Sequence, residues 1–78
     1  MKSGIEYYRK SKGLTQAQVA ATLETTEARM SRIELGQEIP TAAEIDKLVE
    51  LLETPPTYLF SRHILNEVAE RARASSAA

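Results

Sequence analysis

Apolar residues recur at three- and four-residue intervals along the chain, and prolines and glycines punctuate these stretches. The pattern predicts an all-α chain. A first helix is expected from about Gly4 to Lys12, with Ser3 and Glu6 spaced as a capping box, Ile5 and Tyr8 on one face and Gly13 as a C-cap. A second capping box, Thr15 with Gln18, opens a short helix from about Gln16 to Leu23 whose buried stripe is Val19, Ala20 and Leu23. Thr25 or Thr26 caps a third helix, with Glu27 at the positive end of its dipole, Met30 and Ile33 inward and Gly36 as the stop.

After Pro40, Thr41 and Glu44 form a third capping box, and Ile45, Leu48, Val49 and Leu52 give helix four a wide apolar stripe. Thr54, Pro55 and Pro56 break the chain, because proline fits only a helix's first turn and excludes its predecessor from the α region. The last helix carries Tyr58, Leu59 and Phe60, and a stripe of Ile64, Leu65, Val68, Ala69 and Ala72 extends it, with or without a kink, to about Arg73. Residues 74–78 read as a disordered tail. Residues 1–73 therefore form one domain of five helices, with no internal repeat or heptad run.

Composition narrows the function. At 78 residues there is chain for a single small core, and self-association is one way to supplement it. The chain has no cysteine, which excludes disulfides and thiol chemistry and agrees with a reducing, cytoplasmic setting. No apolar run approaches the roughly 18 residues of a membrane span, and the N-terminus lacks a signal peptide's apolar block. One histidine, His63, and no metal-spaced acid cluster leave little equipment for catalysis, so no enzyme, metal or cofactor is expected. The net charge of −1 hides a gradient: up to Gly36 six bases stand against four acids, whereas from Gln37 to Phe60 Lys47 alone faces five acids. An anion-binding surface belongs to the first half.

Two short helices joined by a tight turn, the second with a polar and basic face, suit a major-groove DNA reader. The residues go further. Leu14-Thr15-Gln16, Val19-Ala20, Leu23, Thr25-Thr26, Met30-Ser31-Arg32-Ile33-Glu34, Gly36 and Pro40 closely resemble the Cro and phage-repressor type of helix-turn-helix family, over roughly Ile5 to Phe60. The resemblance implies a compact, lambda-repressor-like five-helix bundle with the DNA-reading motif at helices two and three. It places Gln16 against the DNA backbone, Ala20 at the helix contact, and Thr26 as a cap that reaches a phosphate. Glu27, Ala28, Arg29 and Arg32 become the solvent-facing residues of the recognition helix, and Lys12 a phosphate contact. Arginine can bond guanine O6 and N7, glutamate can accept from cytosine, and alanine can touch a thymine methyl, so a half-site containing G and C is expected.

The resemblance also pairs Arg9 with Glu34 to orient the recognition helix, and it places glycine at positive φ in the turn where this chain has Glu24. Either the turn is built differently, or that geometry is kept with Glu24 at a cost of about 1–2 kcal/mol. Ile64, Leu65 and Val68 lie beyond the usual end of such domains, so with Phe60 they are expected to form a homodimer interface, on a helix of about residues 57–73. A two-fold dimer would read a palindromic operator with half-sites about 34 Å apart. The leading expectation is a repressor or autoregulatory controller on double-stranded DNA that excludes or contacts RNA polymerase. The alternative is a protein-interaction module such as the antitoxin of a toxin pair, binding its toxin through the last helix.

Overall fold

Helix boundaries follow the capping chemistry in the computed structural model, which describes residues 3–76. The elements in chain order are α1 (Ile5–Ser11), α2 (Gln16–Thr22), α3 (Glu27–Glu34), α4 (Ala42–Leu52), α5 (Pro56–Leu59) and α6 (Arg62–Ser76), with no strand among the described residues. Complete capping boxes open α2 at Thr15–Gln18 and α4 at Thr41–Glu44, and the Thr26 hydroxyl accepts the Arg29 N–H at the start of α3. At α1 the expected Ser3–Glu6 box is replaced by another arrangement. Gly4 is the N-cap, and the Ser3 hydroxyl accepts from the Ile5 N–H while donating to the Glu34 carbonyl, which ties the chain start to the end of α3.

Four helices end through a residue in the left-handed region, where the following N–H groups can turn back onto the last carbonyls. Gly13 (φ 70°) supplies it after α1, as expected, and Gly36 (φ 76°) after α3, but Glu24 (φ 59°) does so after α2 and Glu53 (φ 51°) after α4. The turn between α2 and α3 thus keeps the backbone that glycine would favour, closed by Thr25 N–H to Ala20 carbonyl at 2.9 Å. Glu24 is exposed, and its ion pair with Lys47 at 3.1 Å joins two solvated side chains, so that contact offsets little of the strain. Glu24→Gly is expected to stabilise the domain by about 0.5–1 kcal/mol, the relief of strain being partly cancelled by a more flexible unfolded chain. A melting temperature that stays level or falls would show that the turn is unstrained.

The core gathers Ile5, Val19, Ala20, Leu23, Met30, Ile33, Ile45, Leu48, Leu52, Leu59, Phe60 and Val68, contributed by every helix and by the residues that cap them. Burying such a stripe from each short helix supplies the stability that helices of seven or eight residues lack alone. Tyr8 packs against this core, while Tyr7 is exposed. The N-terminus docks backbone to backbone on α5: the Gly4 N–H donates to the Leu59 carbonyl at 2.9 Å, and a Cβ on Gly4 would stand 2.2 Å from the Tyr58 carbonyl oxygen.

The C-terminal region departs from the expected single helix. Phe60 is extended (φ −133°, ψ 150°), which divides the segment into α5 and α6 and raises the helix count from five to six among the described residues. The break turns Phe60 and Val68 into the protomer's own core, at 5% and 6% exposure, with Ile64 and Leu65 packed half-buried against it. Phe60 and Val68, expected at a dimer interface, therefore lie in the protomer's own core, because the kink folds the stripe back onto the bundle. Helix α6 continues past Arg73 to Ser76, and residues 77–78 of the expected tail lie outside the described residues.

Candidate nucleic-acid interface

A buried ion pair sets how α3 is held. The Arg9 Nε–H donates to Glu34 Oε2 at 2.7 Å and its Nη2 to Oε1 at 3.3 Å, while Nη1 donates to the Leu14 carbonyl at 3.0 Å. Both residues are buried. Gln16 completes the cluster by donating its side-chain amide to Glu34 Oε1 at 3.0 Å. The end of α3 is thereby bonded to α1 and to the first residue of α2, and two charges taken from water are matched by fork geometry and by added hydrogen bonds. Gln16, expected against the DNA backbone, is half-buried and anchored inward by this amide.

Along the outer side of α3, Thr26, Glu27, Ala28 and Arg32 are exposed, Ser31 is half-buried among them, and Leu35 continues the edge. Ala28 and Arg32 stand one helical turn apart, with Ser31 and Leu35 at the intervening offsets, so they share one face. The Thr26 hydroxyl accepts from Arg29 N–H at 3.1 Å, which leaves its own hydrogen to donate. Glu27 sits in the first turn, where the helix dipole favours an acid.

Arg29 does not belong to this exposed edge, a correction to its expected solvent-facing role. Its Nε–H donates to Glu38, its Nη1 to Glu44 and to Thr25 Oγ1 at 3.3 Å, and its Nη2 to Glu44 Oε1 at 3.0 Å. The cause lies in α4, whose capping box places the Glu44 carboxylate beside α3 and makes it accept from the Thr41 N–H at 2.8 Å as well. Glu38, in the loop after α3, also accepts from Arg32 Nε at 2.8 Å. Lys12 likewise turns to its own chain, in an ion pair with Glu53 at the end of α4. The pairing of Glu38 and Glu44 with these arginines went unnoticed in the sequence, where Glu44 was read only as a capping residue, because six and fifteen residues separate the partners and neither spacing is a helical one.

These contacts shift the ionisation of their members. The Arg29 guanidinium is raised above its ordinary value, chiefly by the hydrogen bond to Glu44 and against the opposing effect of burial. Glu38 is lowered, first by the bond from Arg32, with burial opposing and Arg29 adding to it. At Glu44 burial is the largest influence and acts upward, but the bonds from Arg29 and the Thr41 backbone together outweigh it and leave the carboxyl lowered. A carboxylate lowered on folding contributes stability that is present above its unfolded value, near 4.3, and lost as pH falls through the folded value. The melting temperature is expected to hold from pH 7 to about 5 and to decline below about 4.3, less steeply in Glu44→Gln. An acid slope identical in the variant would remove Glu44 from this account.

A short helix bonded behind a second helix, with one polar edge outward and its ends capped, is the construction of a major-groove reader. Comparison with protein families agrees: a family model described as Helix-turn-helix matches residues 5–59. The chain belongs to this helix-turn-helix family, of the Cro and phage-repressor type, and is a DNA-binding regulator. Comparison with curated proteins finds no match. Among the described residues no helix is long and apolar enough to cross a membrane, and no group of histidine, aspartate and glutamate has the arrangement to hold a metal ion.

Proposed function

We propose that this protein is a cytoplasmic homodimeric repressor or autoregulatory controller that inserts α3 into the major groove of a palindromic operator and excludes RNA polymerase from an overlapping promoter. The observation that carries the reading is the exposed edge of Thr26, Glu27, Ala28 and Arg32, held at a set angle by the buried Arg9–Glu34–Gln16 cluster. Arg32 reads guanine, Thr26 donates to a phosphate, and Ala28 meets a thymine methyl or a sugar edge. A dimer suits an edge this short, since one copy reaches only three or four base pairs and two copies one DNA turn apart multiply the discrimination. Phe60 and Val68 serve the protomer's core, so the dimer surface proposed here draws on Ile64, Leu65 and the exposed side of α6.

Selection of bound duplexes from a random library tests the proposal. The expected result is an inverted repeat with half-site centres about 34 Å apart, bound with an affinity that falls steeply as salt rises. A folded protein that enriches no sequence and binds DNA with weak salt dependence would instead make the domain a protein-interaction module, as in an antitoxin.

A further inference from the structure

We infer that Glu38 is a positioning residue for base reading, holding the Arg32 guanidinium by Nε so that its terminal nitrogens are presented to guanine. This rests on the DNA-reading function proposed above. The bond from Arg32 to Glu38 Oε1, at 2.8 Å, uses Nε alone. Guanine O6 and N7 are matched by a pair of parallel donors, and the two terminal nitrogens of Arg32 keep theirs free within the described residues. The Arg32 side chain is half exposed and would otherwise sample many rotamers. Fixing it before DNA arrives reduces the ordering that binding must impose.

Glu38 is itself fixed. Its other oxygen accepts from Arg29 Nε, and Arg29 is anchored by Glu44, which α4 holds through the Thr41 N–H. A chain of alternating charge therefore runs from the α4 cap through Arg29 and Glu38 to the reading side chain. Arg29 supports the reader through this chain and does not itself touch a base. Glu38 also has an opposing effect, since a carboxylate beside the DNA path repels phosphates. That opposition separates positioning from a merely structural role, because removing Glu38 should weaken discrimination without weakening general attraction to DNA.

The test measures binding of the full chain to its selected operator, to the operator changed at the base pair whose preference Arg32→Ala erases, to the operator with 7-deazaguanine at that position, and to an unrelated duplex. In Glu38→Ala, discrimination at that base pair and sensitivity to 7-deazaguanine are expected to fall about tenfold. Affinity for the unrelated duplex should hold or rise, with the melting temperature little changed because Arg29 keeps Glu44. Glu38→Gln, which retains one oxygen acceptor for the Arg32 Nε–H but turns an NH2 donor toward Arg29, should recover part of the discrimination. Full discrimination in Glu38→Ala overturns the inference. So does an equal loss in Glu38→Gln, or a parallel fall of specific affinity, general affinity and melting temperature. A wild-type protein that selects no sequence fails earlier, at the proposed function, and takes this role with it.

Discussion

Arg9→Ala is expected to lower the free energy of unfolding by about 3–5 kcal/mol, because it strands the Glu34 carboxylate in a site where that residue is 2% exposed. Only the Gln16 amide would remain to satisfy Glu34, and the Leu14 carbonyl would lose its Nη1 donor. For a domain of this length such a loss moves the melting temperature down by roughly 12 °C or more. It is also a large share of the roughly 5–15 kcal/mol that holds a domain folded, so partial unfolding at 37 °C is expected. Base preference, measured at a temperature where the variant is still folded, should change far less than stability. The reason is that the pair holds the far end of α3 and does not face the exposed edge. Replacing both partners by apolar residues, as in Arg9→Met with Glu34→Leu, should be far less destabilising than either change alone, since no charge is left unpaired. A single variant that melts within a degree or two of wild type would show the pair to be idle.

Arg32→Ala is expected to act on recognition and leave the fold alone. A bidentate arginine–guanine contact is worth about 1–3 kcal/mol of discrimination against the wrong base, and a palindromic operator would register the loss in both half-sites. The melting temperature should change little, because the side chain is half exposed and its bond to Glu38 is a solvated one. Arg29→Ala supplies the contrast. It would leave Glu44, at 12% side-chain exposure, without its principal partner, so stability should fall and DNA affinity should follow stability. Equal and purely recognition-level losses in both arginine variants would return Arg29 to the groove and contradict its placement against α4.

The helices themselves were legible because their signals are local. Thr15 with Gln18 and Thr41 with Glu44 satisfy backbone donors three residues away, and that chemistry is complete within one turn. The stripe of Ile45, Leu48 and Leu52 depends only on helical period, and all three are buried. Glu24 illustrates a mixed case. The family's glycine left open whether the turn is built differently or the strain tolerated, and the retained positive φ shows that packing of α2 on α3 outweighs the local preference for glycine. The division of the last helix was left open by the sequence because neither Phe60 nor Ser61 is a breaker residue. Phe60 leaves the helical region so that its ring can enter the core, and the Ser61 hydroxyl then accepts the Ile64 N–H at the start of α6.

The candidate site divides along the same line. The resemblance placed Glu27, Ala28 and Arg32 on the outer face of α3, and they are exposed. The resemblance put Arg29 there as well, and the structure turned it inward onto Glu38 and Glu44. An arginine at the border of a helix's apolar stripe can face either way, and a carboxylate brought up by another element decides which.

Sequence by itself determined the all-α class, the capped starts of α2, α3 and α4, the heavy apolar stripe of α4 and the family to which the chain belongs, because each rests on residues within a few positions or on a spaced motif. Tertiary structure alone decided that Phe60 and Val68 serve the protomer's core, that Lys12 turns to Glu53, and that Arg29 and Glu38 form a relay between α4 and Arg32. Those outcomes depend on groups up to 41 residues apart, and the strength of attraction between such groups follows distance and burial in space, which no spacing along the chain encodes.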